Sequence, residues 1–413
     1  MKRRVVITGL GAVTPIGIGI GPSWQALCAG VSGITRVTRF DTSNLRAGIA
    51  GEVKGFNPED FIDHKLARRT DRYQHFALAA ARMALEDARF EIPPSEADRV
   101  GVIVGTATGG LQSMLSAQAE FSNGSSDEIS PFFILQYLTN IGAGQVALLA
   151  GARGPNFAPT SACASGTHSV GDGFKLIQHG ACDMVLAGGA DAGIIPIMLH
   201  GLGLMKACSQ RTDMPEKASR PFELNRDGFV TGEGAAILVL EELDHALRRG
   251  AGTYAEIVGY AATGDAYHIT SPSPQGEGAG RCIRLALEDA GVSPADVDYV
   301  NAHGTSTRLN DVAETRAIKA VFGKHASRLA VSSNKSMIGH LWGASGAVEA
   351  AFTALTLKHG VVPPTINYET PDPECDLDYV PNRARRMQVR IAISNSFGFG
   401  GTNGVLVFRR FEA

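Results

Sequence analysis

The chain has no strong charge bias. Its 413 residues include 38 Lys and Arg against 41 Asp and Glu, a formal net charge of −3. No global basic field exists to draw the protein to nucleic acid or to an anionic membrane, so any recognition by cations has to be local. Paired cysteines are missing too. The six cysteines (28, 163, 182, 208, 282 and 375) form no C-x-x-C pair and no Cys/His cluster at metal-ligand spacing. That argues against a disulfide framework and a structural metal, and it fits a reducing cytoplasm. Long uninterrupted apolar runs are also absent. The longest apolar region, Met184 to Met205, contains Asp191 and Pro196, so no membrane span is expected. The opening "MKRRVVITGLGAVTPIG" has the basic-then-apolar order of a secretory signal. Three glycines and Pro15 break the run, however, and no small-residue cleavage site closes it. It reads better as a first strand, Arg4 to Thr8, followed by a glycine turn.

Glycine is what the chain has in excess: 49 residues, many in short clusters. Such clusters suit sharp turns and close backbone approach around an active site. Val/Ile-rich runs such as "RVGVIVG", "DMVLAGG", "GAAILVLE" and "RIAISNSFG" alternate with helical patterns such as "QHFALAAARMALEDAR" and "GAVEAAFTALTLKHG". This alternation predicts an α/β architecture with buried strands. One pattern occurs twice. "ALEDARFEIPPSEADRVGVIVGTATGG" begins at Ala84 and "ALEDAGVSPADVDYVNAHGTSTR" at Ala286. Each runs from a helix through a proline turn and a strand into a Gly/Thr loop. Later in each half a strand ends in a glycine-rich stretch, "VLAGGADAG" and "ISNSFGFGGTNG". The chain therefore reads as a duplicated unit, 1–250 and 251–413, joined near "RRGAGT".

The chemistry centres on Cys163 in "SACASG". A cysteine at a strand-to-helix turn gains from the positive end of the helix, which favours thiolate over thiol. An isolated cysteine is nonetheless ordinarily a small buried apolar residue, so it needs partners. Loops beyond the carboxyl ends of strands converge in open α/β sheets. On that rule "NAHGTST" brings His303, and "NKSMIGH" brings Lys335 and His340, to face the cysteine from the other half. A cysteine, two histidines and no metal spacing fit acyl-thioester chemistry. The thiolate takes an acyl group, and imidazole N–H groups stabilise an enolate oxygen. The glycine-rich loop Ser396 to Gly404 lacks the Lys-Ser/Thr of a phosphate loop. Its N–H groups read instead as donors to a thioester oxyanion, with Thr402 as a polar ligand contact.

Taken together, "SACASG", "PFELNRDGFVTGEGAAILVLE", "NAHGTSTRLND", "NKSMIGHLWGASGAVEA" and "NSFGFGGTNG" resemble the β-ketoacyl-[acyl-carrier-protein] synthases over essentially the whole chain. The likeness is greatest to the elongating type II enzymes of fatty acid biosynthesis. The resemblance implies a duplicated thiolase-like fold layered α-β-α-β-α and a homodimer, with "ISPFFILQYLTN" reaching across the interface. It also implies decarboxylative condensation with malonyl-[acyl-carrier-protein], the substrates riding on the 4′-phosphopantetheine of the carrier, with no cofactor and no metal. By resemblance, Cys163 holds the acyl chain, and His303 and His340 serve the malonyl thioester. Cys163 and Phe399 form the oxyanion hole, Phe399 also acting as a gate. Lys335 tunes the histidines with Glu349 as its partner, and Asp311 supports the same motif. Thr305 and Thr307 meet the pantetheine arm, and Thr108, Leu202 and Thr402 contact substrate. Lys65, Arg68, Arg69 and Arg72, with Lys206, offer a basic patch to the acidic carrier.

Three departures stand out. Arg308-Leu309-Asn310 replaces the usual Pro-Ala-Gly, Thr108 stands where a larger apolar residue is common, and Leu202 stands where an aromatic is often found. They leave chain-length preference open, and with it a specialised polyketide or lipid pathway. A coenzyme A thiolase would need a second catalytic cysteine, for which Cys375 in "DPECDLD" is a poor candidate. A non-catalytic chain-length factor is the third reading, although those usually lose the cysteine that this chain keeps.

Overall fold

A computed structural model describes residues 2–412. Ten strands form its central path: β1 (Val5–Thr14), β2 (Val100–Gly105), β3 (Asn156–Phe157), β4 (Met184–Asp191), β5 (Gly234–Glu242), β6 (Glu256–Gly264), β7 (Tyr299–Asn301), β8 (Ala330–Ser332), β9 (Ile391–Gly398) and β10 (Thr402–Arg409). Their spatial order is β8-β7-β9-β10-β6-β1-β5-β4-β2-β3. Read outward from the middle, one arm is β1-β5-β4-β2-β3 and the other is β6-β10-β9-β7-β8. The second is the first with five added to each label, and the parallel and antiparallel pairings match one for one. The arms meet where Val5 and Val6 pair with Ile257 and Glu256, and Ile7 exchanges backbone hydrogen bonds with Tyr254 and Ala255.

Six helices complete the layers: α1 (Arg72–Ala88), α2 (Ile141–Ala150), α3 (Ser165–Gln178), α4 (Glu277–Ala290), α5 (Arg308–Phe322) and α6 (Ser345–His359). Helices α3 and α6 pack on each other and on strands of both arms; α1 with α2, and α4 with α5, cover the outer faces. The order is α-β-α-β-α. The middle layer follows from sequence. Every residue of α6 from Ser345 to Leu357 is buried, and its Ala, Val, Phe and Leu side chains surround the helix rather than striping it, as a helix enclosed on all sides requires. The outer α1 has instead a buried face, and it starts with a capping box in which Asp71 and Gln74 satisfy each other's backbone N–H groups.

The repeated "ALEDA" has a physical cause. In the first half a Cβ on Gly9 would stand 2.3 Å from the Ala84 carbonyl, and in the second a Cβ on Gly259 would stand 2.5 Å from that of Ala286. The Asp of each motif then accepts the N–H of the next strand residue, Leu10 to Asp87 at 2.8 Å and Tyr260 to Asp289 at 3.1 Å. Helix and strand thus touch backbone to backbone at the same point in both halves. This corrects the reading of a turn after Thr8. Gly9 and Gly11 continue β1 to Thr14, because they admit α1 rather than reverse the chain. The glycine-rich stretch Ser396 to Gly404 is likewise a hairpin rather than a loop. Ser396 pairs with Gly404 and Gly398 with Thr402, which leaves Phe399, Gly400 and Gly401 as the tip.

Candidate active site

Cys163 sits in a single 3-10 turn, Ala162–Ala164, that feeds directly into α3. Ala162 has φ 51°, a left-handed conformation rare for a residue with a side chain, just before Cys163. His303 follows β7, and His340 follows the short helix Lys335–Ile338 beyond β8. The parallel strands therefore deliver both histidines from the second half to the cysteine of the first. The Cys163 sulfur and one ring nitrogen from each histidine lie within 4.8 Å of one another, with all three residues buried. A cavity of about 350 Å³ opens onto them, lined also by Phe229, Thr305, Thr307, Trp342 and Phe399.

The donor nitrogen of His340 can be assigned. His340 Nδ1 accepts the backbone N–H of Trp342 at 3.2 Å and faces Ser345 Oγ at 2.9 Å. A nitrogen that accepts an N–H has no proton of its own, so in the neutral ring the proton is on Nε2, the nitrogen left for the cavity. His303 has its Nδ1 enclosed without a partner, and its Nε2 edge is the open one. The rings stand edge to face with centroids 5.5 Å apart. Burial, then the charge of Lys335 and the neighbouring His340, hold His303 well below the ordinary imidazole range. Burial and then Lys335 do the same for His340. Both rings are neutral N–H donors at neutral pH. The same Cys-His-His atoms have the chemistry of zinc ligands, while the Trp342 N–H donated to His340 Nδ1 favours the tautomer that offers Nε2–H to an oxygen.

Cys163 departs from the sequence expectation. Burial pushes its thiol up to about 11, against the opposing pull of the Phe399 and Cys163 backbone N–H groups and of Lys335. Desolvation outweighs the helix terminus, and the resting group is a thiol. Lys335 is buried and paired with Glu349. Burial raises the Glu349 carboxyl to about 7, opposed by Lys335.

Other predicted residues fall into two groups. Thr305 and Thr307 line the cavity with hydroxyl oxygens 2.9 Å apart, and Lys206 and Arg308 stand at its mouth. Thr108, Leu202 and Thr402 are not among the lining residues. The Thr108 hydroxyl donates to Asp191 at 2.8 Å and that of Thr402 to the Ser161 carbonyl at 3.1 Å. Leu202 packs behind Trp342 and Phe229. Asp311 accepts the Phe222 N–H at 2.8 Å and faces Arg226. Of the basic run, Lys65, Arg68 and Arg69 are not buried, Arg69 lying over the Phe132 ring at 4.5 Å. Arg72 is instead bound to Glu233 at 2.8 Å, which removes it from any patch.

Sequence reasoning missed two buried carboxylates. Glu314 accepts the N–H groups of His303 and Gly304 at 2.9 and 2.8 Å and so fixes the histidine loop. It lies three residues after Asp311 on the same helical face, which was the available signal. Asp191 accepts from Thr106, Ala107, Thr108 and Gly343. Its signal was its position as a lone carboxylate inside the longest apolar region.

Comparison with known proteins identifies the family. Residues 2–246 match the family model "Beta-ketoacyl synthase, N-terminal domain", and residues 254–369 match "Beta-ketoacyl synthase, C-terminal domain". The chain is 50% identical over 412 residues to a 3-oxoacyl-[acyl-carrier-protein] synthase 2 of Staphylococcus aureus (strain COL), covering 100% of this chain and 99% of that protein. It is 50% identical over 411 residues to the protein of the same name from Synechocystis sp., again covering 100% and 99%. Among solved structures, a β-ketoacyl synthase from Burkholderia phymatum matches with TM-score 0.93 at 38% identity, and a type II PKS ketosynthase solved with its acyl-carrier protein matches with TM-score 0.93 at 35% identity, each covering 100% of both chains.

Proposed function

The chain belongs to the β-ketoacyl synthase family, and from that premise we propose how its site works. It is a 3-oxoacyl-[acyl-carrier-protein] synthase, an acyltransferase of fatty acid elongation that extends an acyl chain by two carbons with release of CO₂. The convergence of Cys163, His303 and His340 on one cavity carries this reading.

In the first half-reaction the Cys163 sulfur adds to the thioester carbon of an acyl-[acyl-carrier-protein]. The new C–S bond replaces the old one, and the thiol proton ends on the departing pantetheine sulfur. The exchange is proton-neutral, so a thiol pushed up to about 11 meets no net ionisation cost. In the second half-reaction malonyl carrier protein loses CO₂, and charge gathers on its thioester oxygen. The Nε2–H groups of His303 and His340 receive that charge, and burial first, with Lys335 next, keeps both rings neutral and donating. The enolate carbon then attacks the Cys163 thioester. The oxyanion lies between the N–H groups of Cys163 and Phe399, and collapse releases the 3-ketoacyl product and the Cys163 thiolate. Desolvation drives that thiolate to take up a proton, which resets the site.

Thr305 and Thr307 line the path of the pantetheine arm, Phe399 gates it, and Lys206 with Lys65, Arg68 and Arg69 attracts the acidic carrier. Thr108 and Leu202 stand behind the cavity wall, where they shape the acyl end, and Glu349 and Asp311 are structural supports. No step calls for a cofactor. The division is functional: 1–250 supplies the nucleophile and 251–413 the histidines and lysine. A homodimer is supported by exposed Ile134, Leu135, Leu148 and Phe157 near the open edge strand β3. Six free cysteines fit the cytoplasm, and among the described residues no helix is long and apolar enough to cross a membrane.

The test is mass spectrometry after incubation with acyl carrier proteins of graded chain length. Acyl addition to Cys163 from the carrier is expected, and the favoured length reports the acyl pocket. Acylation from coenzyme A alone would place the protein with the thiolases, and no acylation from either donor would make it a non-catalytic partner subunit.

A further inference from the structure

We propose that Thr402 and His168 are positioning residues for the oxyanion-binding pair, tying the turn that carries Cys163 to the hairpin that carries Phe399. The inference rests on the condensing-enzyme reading above and adds what sets the geometry of its oxyanion hole.

The two donors come from opposite halves of the chain. An oxyanion hole works only when both N–H groups sit about 2.7–3.1 Å from a single point, and neither segment can fix that distance alone. Thr402 Oγ1 donates to the carbonyl of Ser161 at 3.1 Å, two residues before the nucleophile. His168, on α3, makes a second tie. Its Nε2 lies 3.2 Å from the Asn403 carbonyl. A carbonyl only accepts, so the ring proton is on Nε2 and Nδ1 is bare. Nδ1 therefore accepts the Ser161 hydroxyl at 2.7 Å. Ser161 is thus held by Thr402 through its carbonyl and by His168 through its hydroxyl, and both restraints end on β10. A buried hydroxyl pair, Thr167 and Ser396 at 2.7 Å, joins α3 to β9 just behind them.

The hairpin comes this close because Gly398 has no side chain. A Cβ there would stand 2.6 Å from Thr402 Oγ1 and 3.1 Å from Cys163 N. Neither Thr402 nor His168 lines the cavity, so neither touches substrate, and both act through the backbone.

This placement predicts a selective defect. The hole is used when Cys163 takes the acyl group and again when the enolate attacks. Loss of CO₂ from the malonyl thioester puts its charge on the histidines instead. In Thr402→Val, which keeps the shape but loses the O–H, acyl transfer from acyl carrier protein to Cys163 should slow about 10-fold, since ångström-scale misplacement of donors costs about 10- to 100-fold. CO₂ release from malonyl carrier protein should stay within about twofold of wild type on the same reasoning. Thr402→Ser should restore acylation. His168→Asn keeps a partner for Ser161 and gives up the Asn403 carbonyl; it should show the same selective loss and serves as the test if Thr402→Val does not fold. Unchanged acylation, or both half-reactions falling by one factor, overturns the proposal. A wild-type enzyme that takes no acyl group from the carrier would instead overturn the condensing-enzyme reading, before any variant is made.

Discussion

Cys163 and Gly343 occupy the same place in the two halves. Each follows a residue with left-handed φ, Ala162 at 51° and Trp342 at 53°, and each lies in a 3-10 turn that feeds α3 or α6. The local sequences are Ala-Cys-Ala-Ser-Gly and Trp-Gly-Ala-Ser-Gly. What faces them differs. β4 ends in Asp191, whose carboxylate accepts the Gly343 N–H at 2.7 Å. β9, the equivalent strand, ends in Gly398, which puts no side chain before the Cys163 N–H. One copy of the unit therefore holds a side-chain acceptor on its turn, and the other puts no side chain there, which suits the oxyanion hole proposed above. The duplicated scaffold thus carries one anchored turn and one turn at the candidate site.

Exchanging the two roles should break the comparison most completely. Cys163→Ala should abolish condensation, on the order of 10³-fold or more, with the fold intact by circular dichroism. Gly343→Cys should gain no acyl acceptor, because its Cβ would meet Ala107 N and Asp191 Oδ2 at 2.5 Å; an acyl mass shift on the peptide spanning the substituted position would contradict this. Removing the anchor comes next. Asp191→Ala strands the donors of Thr106, Ala107, Thr108 and Gly343, and should cost about 4 kcal/mol in denaturant unfolding, since each buried unsatisfied group costs about 1–3 kcal/mol. Gly398→Ala makes the reactive half resemble the anchored one. With a methyl 3.1 Å from Cys163 N, self-acylation in a stopped-time assay should fall about 10- to 100-fold.

The smallest effect concerns pH. His303 and His340 sit well below the ordinary imidazole pKa, from burial first and Lys335 next. The unfolded chain therefore binds more protons than the folded one below pH 6.5. Stability attributable to these rings is complete above that pH and declines as pH falls below it. The acid limb of malonyl decarboxylation should accordingly lie below the ordinary histidine range. Lys335→Ala, which removes one cause, should shift that limb upward, and an unmoved limb would leave Lys335 only as the partner of Glu349.

Much of the fold was legible because it is local. The "ALEDA" repeat could be read directly, and its meaning is a glycine contact and an aspartate hydrogen bond made identically twice. The turn after Thr8 and the loop at Ser396 to Gly404 were misread for a single reason. Glycine signals either reversal or close approach, and only the neighbour decides which. At Gly9 the neighbour is α1. Most of the site was legible from residue type and strand-end position, since Cys163, His303, Lys335 and His340 all sit where parallel strands end. Glu314 and Asp191 were not legible as site residues, because a buried carboxylate and a surface one look alike in sequence.

By itself, then, the sequence determined most of the strands and helices, the duplication, and a cysteine set against two histidines, because each depends on periodicity or on residue chemistry within a short span. Tertiary structure alone decided which nitrogen of His340 carries the proton, whether the Cys163 thiol rests ionised, and that Thr108 and Thr402 spend their hydroxyls on protein rather than on the cavity. Each of these turns on a donor or acceptor supplied from far along the chain, or on how much water the packed layers exclude, and neither is fixed until both halves have closed on each other.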